Sequence, residues 1–263
     1  MGGGERWHDG SGYDAYVGRW SRRVAERFLA WLDVRYGLDW VDVGCGTGIL
    51  TRAITELADP RSVIGIDPSR RFLVAAKAAT RDSRVTFIEG EAEALAIEDA
   101  SVDCVVSGLV LTFVHDLPGA LGEMHRISRR DATVAGYVWD YGGEMQLMRR
   151  FWDAAVALDP EAAELDEGVR FTIARPKPLA AAFETAGFRD VEVTGIEIPT
   201  VFESFDDYWS PFLSGVAPAP AYAMALQPEA RERLRSRLEQ TLPRELDGSI
   251  DLLARAWAVR GTA

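Results

Sequence analysis

The residues whose types and spacing suggest chemistry gather between Val41 and Gly48. The run Val41-Asp42-Val43-Gly44-Cys45-Gly46-Thr47-Gly48 is a short apolar strand that ends in alternate glycines just before a helical stretch. Glycine allows a tight backbone turn and a close approach of backbone to ligand. A second acid, Asp67, closes the next apolar segment 23 residues beyond Gly44. A carboxylate placed there accepts the hydroxyl protons of a ribose. The loop reads G-x-G-x-G, not the G-x-G-x-x-G that cradles a pyrophosphate on a helix end, and Asp42 stands two residues before its first glycine. An acidic pocket of this kind favours a cationic ligand. The plainer alternatives are a glycine loop that only turns the chain, and an Asp67 that only complements a helix dipole.

Catalytic groups are harder to find. There are three histidines. His125 falls on a helix between Met124 and Arg126 and reads as structural. His115 lies in the loop after the fourth strand, at the rim of the expected site, and His8 lies on an N-terminal stretch able to fold over it. Asp140 and Tyr141, at the end of the fifth strand, point to the substrate side of such a fold. None of these is named as catalytic. No His/Cys/Asp cluster has metal-ligand spacing, so no metal is expected. No Ser-His-Asp order or G-x-S-x-G occurs. Cys45 reads as a small apolar filler rather than a nucleophile.

The elements that must position these residues alternate. Apolar positions Trp20, Val24, Phe28, Trp31 and Leu32 recur at helical spacing. Strands are expected at Trp40–Val43, Val63–Ile66, Val85–Ile88, Cys104–Ser107 and Ala132–Trp139, with helices at Ile49–Leu57, Ser69 (as N-cap) to Ala79, and Pro118–Ile127. Strand alternating with helix predicts a Rossmann-like, mostly parallel sheet with helices on both faces. Beyond it come helices at Met145–Leu158 and Pro178–Ala186, the latter stopped by Gly187, and strands at Val191–Ile198 and Leu253–Val259, which make seven. Between those last strands, residues 199–249 read as a C-terminal helical cap insertion. It carries exposed-looking aromatics (Phe202, Phe205, Tyr208, Trp209, Phe212), a turn at Pro218–Pro220 and an amphipathic helix at Arg231–Leu242. The expected division is an N-terminal helical cover over residues 1–36 and one α/β domain over 37–263.

Composition narrows the partners. The chain has 263 residues, 48% hydrophobic, so it can bury a sizeable core. Its formal net charge of −12 disfavours nucleic acid and anionic lipid. The two cysteines fall in core segments, which argues against a disulfide framework. No apolar run is long enough to span a bilayer, and the first nine residues lack the apolar stretch of a signal peptide. A cytoplasmic location is expected.

Three motifs in order, VDVGCGTG at 41–48, GIDPS at 65–69 and EGEAEALAIEDASVDCVVS at 89–107, resemble the UbiE-type, or type 11, branch of the class I S-adenosylmethionine-dependent methyltransferases. The resemblance covers roughly Trp40 to Tyr141. It implies S-adenosylmethionine as cofactor and a small-molecule methyl acceptor. It implies that Gly44, Gly46 and Gly48, with Cys45 between them, line the methionine and ribose parts, that Asp42 holds the loop or reaches the ammonium through water, that Asp67 grips the ribose, and that Pro68 packs on adenine. Glu91 then accepts from the adenine amine beside the backbone of Ala92, and Ser107 lies near the methionine part. Glu91 departs from the family's usual Asp. Thr112 and Phe113 stand where the family commonly has histidines before a proline. The YDAYVGRWSR segment, through Tyr16 and Trp20, resembles the family's cofactor cover. The same residues leave room for a nicotinamide-dependent oxidoreductase on a related sheet, for a non-catalytic cofactor-binding module, and for a protein-modifying methyltransferase.

Overall fold

The computed structural model of the protein describes residues 18–215 and 217–263. Helix α1 (Arg19–Leu32) is followed by β1 (Asp39–Val43), α2 (Ile49–Leu57), β2 (Ser62–Asp67), α3 (Arg70–Ala79), β3 (Val85–Glu89), β4 (Val102–Gly108), α4 (Leu117–Ile127) and β5 (Ser128–Trp139). Then come α5 (Gln146–Leu158), a 3-10 turn at Pro160–Glu164, α6 (Glu167–Arg170), α7 (Pro176–Thr185) and β6 (Arg189–Phe202). After α8 (Phe205–Trp209) and a 3-10 turn at Ser210–Leu213 come α9 (Pro218–Ala225), α10 (Pro228–Thr241) and β7 (Ile250–Thr262).

The seven strands form one sheet in the order β3-β2-β1-β4-β5-β7-β6. Strands β1 to β5 pair in parallel, and β7 runs antiparallel to β5. The chain steps outward from β1 to β3, then returns to lay β4 on the other side of β1. The sheet therefore changes winding direction between β1 and β4, and the crevice beyond the carboxyl ends of these two strands is where open α/β sheets bind ligands. Buried Trp40, Val41 and Val43 on β1 and Cys104, Val105 and Val106 on β4 fix these strands in the core.

Two compact units can be distinguished. A sheet unit holds Ser21–Trp139, Ile173–Ile196 and Ala256–Ala263, and a helical unit holds residues 18–20 with Asp140–Thr172 and Glu197–Arg255. The helical unit thus draws on residues 140–172 as well as the stretch expected from the sequence. Its aromatics are not exposed: Phe202, Phe205, Tyr208, Trp209 and Phe212 are all buried. Phe212 stacks on Phe151 at 4.4 Å, Trp209 lies parallel to Phe205, and the Tyr208 hydroxyl donates to the Leu147 carbonyl at 2.9 Å. They are the interior of this unit. The expected turn at Pro218–Pro220 is the first turn of α9, where the missing proline N–H costs nothing.

Candidate functional site

Strand β1 delivers the chain into a loop stapled to its neighbour. The amides of Gly44 and Cys45 both donate to the Ile66 carbonyl, at 2.7 and 2.9 Å, and the Gly48 amide donates to the Cys45 carbonyl at 2.8 Å. Gly48 then caps α2 with a left-handed backbone and no side-chain bond. Two of the loop's glycines are needed for different reasons. Gly44 has φ +73°, and a Cβ there would lie 2.6 Å from Val110, which folds in from the loop after β4. Gly46 has φ +54°, but a Cβ there would meet no described residue within 4 Å. Among the described residues, the space over Gly46 is open to a ligand.

Both acids reach this loop. Asp67, at the end of β2, accepts the Gly46 amide on Oδ2 at 2.9 Å and the Ser69 amide on Oδ1 at 2.8 Å. Each oxygen keeps a further lone-pair direction. Burial raises the proton affinity of Asp67, against the lowering effect of those two amides. Asp42 is 1% exposed. Its Oδ2 accepts the Thr51 hydroxyl at 2.6 Å, while its Oδ1 is buried without a partner among the described residues. Burial pushes its pKa up to about 7, with Thr51 opposing and the negative charge of Asp67 adding.

The remaining residues singled out from the sequence fall as follows. Pro68 and Glu91 are exposed and Ala92 half-buried, on the segments after β2 and β3. The Gly90 amide donates to the Asp67 carbonyl at 3.3 Å, which holds the second segment beside the first. The Cys45 side chain packs with Leu73, Ala76 and Phe87, and burial drives its thiol far above the range in which it would ionise. Ser107 is fully buried and its hydroxyl donates to the Val43 carbonyl at 2.9 Å, so that side chain ties β4 to β1. Trp20 is buried in the helical unit, edge-on to Phe202 at 5.7 Å and capped by the Arg19 guanidinium. Tyr16 and His8 lie outside the described residues.

The acid–base candidates are bound up elsewhere or exposed. His125 packs against Phe188 at 5.3 Å, and His115 is exposed on the loop before α4. Asp140 accepts the Glu144 amide at 2.9 Å and faces the Arg255 guanidinium at 3.5 Å, while Tyr141 packs edge-on to Phe171. Among the described residues no group of His, Cys, Asp and Glu has the placement to hold a metal ion. No helix of the described residues is long and apolar enough to cross a membrane.

Two contributors were not read from the sequence. Thr51 holds Asp42, and Val110 fills the place above Gly44. A hydroxyl in the first turn of the helix after a glycine loop is a faint signal for the former. Nothing in the sequence marks the latter.

This arrangement can hold a ribose on Asp67 and a cationic group near Asp42, with backbone in close contact over Gly46. The fit is to S-adenosylmethionine, whose ammonium and sulfonium suit a loop with two carboxylates. The methyltransferase-domain family matches residues 41–135. A demethylmenaquinone methyltransferase from a Roseiflexus species is 30% identical over 166 residues, 57% of this chain and 68% of that protein. A malonyl-[acyl-carrier protein] O-methyltransferase from Pectobacterium atrosepticum is 34% identical over 123 residues, and that match spans about half of each chain, 47% of both. Among solved structures, phosphoethanolamine N-methyltransferase 2 from Haemonchus contortus, in complex with S-adenosyl-L-methionine, superposes with a TM-score of 0.58 at 16% identity, covering 96% of this chain and 56% of that one.

Proposed function

The chain belongs to the class I S-adenosylmethionine-dependent methyltransferases, in their UbiE-like branch, and we propose that within it this protein methylates a small, partly apolar acceptor at oxygen, nitrogen or carbon. The observation that carries this reading is Gly46: its left-handed backbone is pinned to Asp67, and a Cβ there would meet no described residue within 4 Å. The name of the demethylmenaquinone methyltransferase relative supports a small acceptor, a quinone. The net charge of −12 argues against a nucleic-acid acceptor.

When bound, the cofactor supplies a methyl group on a cationic sulfur, which is the reactive part of the chemistry. The protein's share is position. Asp67, already oriented by two backbone amides, turns its free lone pairs to the ribose hydroxyls. Gly46 lets the ligand lie on bare backbone. Asp42, locked by Thr51, places negative charge beneath the loop. Holding donor and acceptor in line can remove about 7–11 kcal/mol of barrier, which is why no general base need be named. Where the acceptor must lose a proton, a base is needed as well, and among the described residues neither His125 nor Asp140 is free to serve.

The test has two steps. Calorimetric titration of the purified chain with S-adenosylmethionine and with NAD or NADP should show binding of the first only, and preference for a dinucleotide would replace this reading by an oxidoreductase. Incubation of labelled cofactor with a cell extract fractionated by molecular weight should then place the label in the small-molecule fraction. Label confined to protein fractions would point to a protein or carrier-bound acceptor instead.

A further inference from the structure

Asp42 holds the least satisfied charge-bearing atom of the site. Its carboxylate lies in the sheet interior, one oxygen bonded to Thr51 and the other buried without a partner among the described residues. Leaving a buried acceptor unpaired is costly, and native proteins do so where something offsets the cost. Among the described residues that face Asp42, only Thr51 offsets part of that cost. Helix α2 contributes Thr51, β2 contributes the carboxylate of Asp67, the loop contributes the buried Cys45 thiol, and its register partner on β4 is Val106. Among the described residues the charged group acting on Asp42 is thus another acid, while the Arg52 guanidinium of the loop is bonded to the Thr47 carbonyl at 2.8 Å.

S-adenosylmethionine brings two cations, the ammonium and the sulfonium. S-adenosylhomocysteine, left after transfer, keeps the ammonium and has a neutral thioether. We propose that ionised Asp42 is the element that tells these two apart, favouring the sulfonium form over the demethylated product, so that protonating Asp42 erases part of the discrimination. The proposal rests on the cofactor reading above and adds to it a residue that sets the balance between cofactor binding and product release. Burial and the Asp67 charge bring the proton equilibrium of Asp42 to about pH 7, so the effect falls within an accessible range.

The test is calorimetry of the full chain with each ligand from about pH 5.5 to 7.5, a window below the ordinary α-amino range. Affinity for S-adenosylmethionine should weaken as pH falls through 7, by at most about tenfold per pH unit for a single proton. S-adenosylhomocysteine should follow a shallower profile, so the ratio of the two dissociation constants should shrink threefold or more across the window. Asp42→Asn should flatten that ratio. Thr51→Val keeps the carboxylate but removes a bond that favours its ionised form, so it should move the midpoint to higher pH. This variant and the wild-type profile decide the matter should Asp42→Asn fail to fold. Parallel profiles for the two ligands, or a ratio in Asp42→Asn that titrates as in the wild type, overturn the proposal while leaving the cofactor reading intact. Failure of both ligands to bind at pH 7.5 overturns both.

Discussion

Gly44 and Gly46 stand two residues apart with the same sign of φ, and a single methyl group should affect them in opposite ways. At Gly44 the added Cβ collides with Val110, so Gly44→Ala should lose about 1–3 kcal/mol of stability by overpacking and more from the positive φ. At Gly46 the Cβ meets no described residue within 4 Å. Gly46→Ala should fold with a cost of about 1–2 kcal/mol from its left-handed backbone, yet bind S-adenosylmethionine at least tenfold more weakly. Thermal unfolding and calorimetry on the same samples separate the two quantities. Wild-type affinity in a folded Gly46→Ala would move the cofactor off this loop. Asp67 calls for a gentler change, because Asp67→Ala would also release the amides of Gly46 and Ser69. Asp67→Asn keeps one acceptor oxygen and removes the charge, and it should cost about 1.5–3 kcal/mol of binding, roughly ten- to a hundredfold. Unchanged affinity would remove Asp67 from the ribose. These acids and glycines could be read from the sequence because their types and spacing are local. Thr51 carries only a faint signal and Val110 none, since only the folded loop brings one under Asp42 and the other over Gly44.

Among the elements, those of the parallel half were read most closely. Helix α2 has the bounds expected from the sequence, and Ser69 caps α3 by accepting the Phe72 amide as its residue type suggests. Each is bracketed by glycine or an N-cap, the signals that mark helix ends independently of tertiary context. Strands β6 and β7 run longer than their apolar cores, to Phe202 and Thr262, because sheet pairing carries polar residues beyond the alternating segment. The helical unit was the least legible part. The short helices at 160–170 carry little periodic signal, and clustered aromatics look the same in sequence whether they face solvent or one another. In the fold they face one another, which predicts a structural role. Phe212→Ala should cost about 3–5 kcal/mol of stability, and Tyr208→Phe, which removes the bond its hydroxyl donates to the Leu147 carbonyl, about 0.5–1.5 kcal/mol. Chemical denaturation measures both. A Phe212→Ala protein as stable as wild type would show that this stack is not a core.

For the molecule as a whole, the excess of acid raises the question of how stability responds to pH, and two groups of carboxylates answer with opposite signs. Arg61 holds Asp39 down to about 2, and Arg84 does the same for Asp82. Depressed carboxylates stabilise above their unfolded pKa of about 4 and lose that contribution as pH falls through the folded value. Both pairs are partly solvent-exposed, so screening leaves this acid limb small. Asp42 acts the other way. Its folded pKa of about 7 lies above the unfolded value, so the folded state holds a proton that the unfolded chain releases, and stability falls as pH rises from about 4 to 7. Each tenfold change in proton affinity is worth about 1.4 kcal/mol, so the total is a few kcal/mol at most. Asp42→Asn should therefore melt close to wild type near pH 4 and above it at pH 8 when no ligand is present. Saturating S-adenosylmethionine at pH 8 should reverse the order, because a ligand that needs the ionised carboxylate stabilises the wild type more than the variant. Differential scanning fluorimetry with and without cofactor reads both effects. A variant that melts below wild type at pH 8 without ligand would mean that Asp42 is held charged by something other than the cofactor. A variant above wild type in both conditions would mean that the cofactor makes no use of its charge.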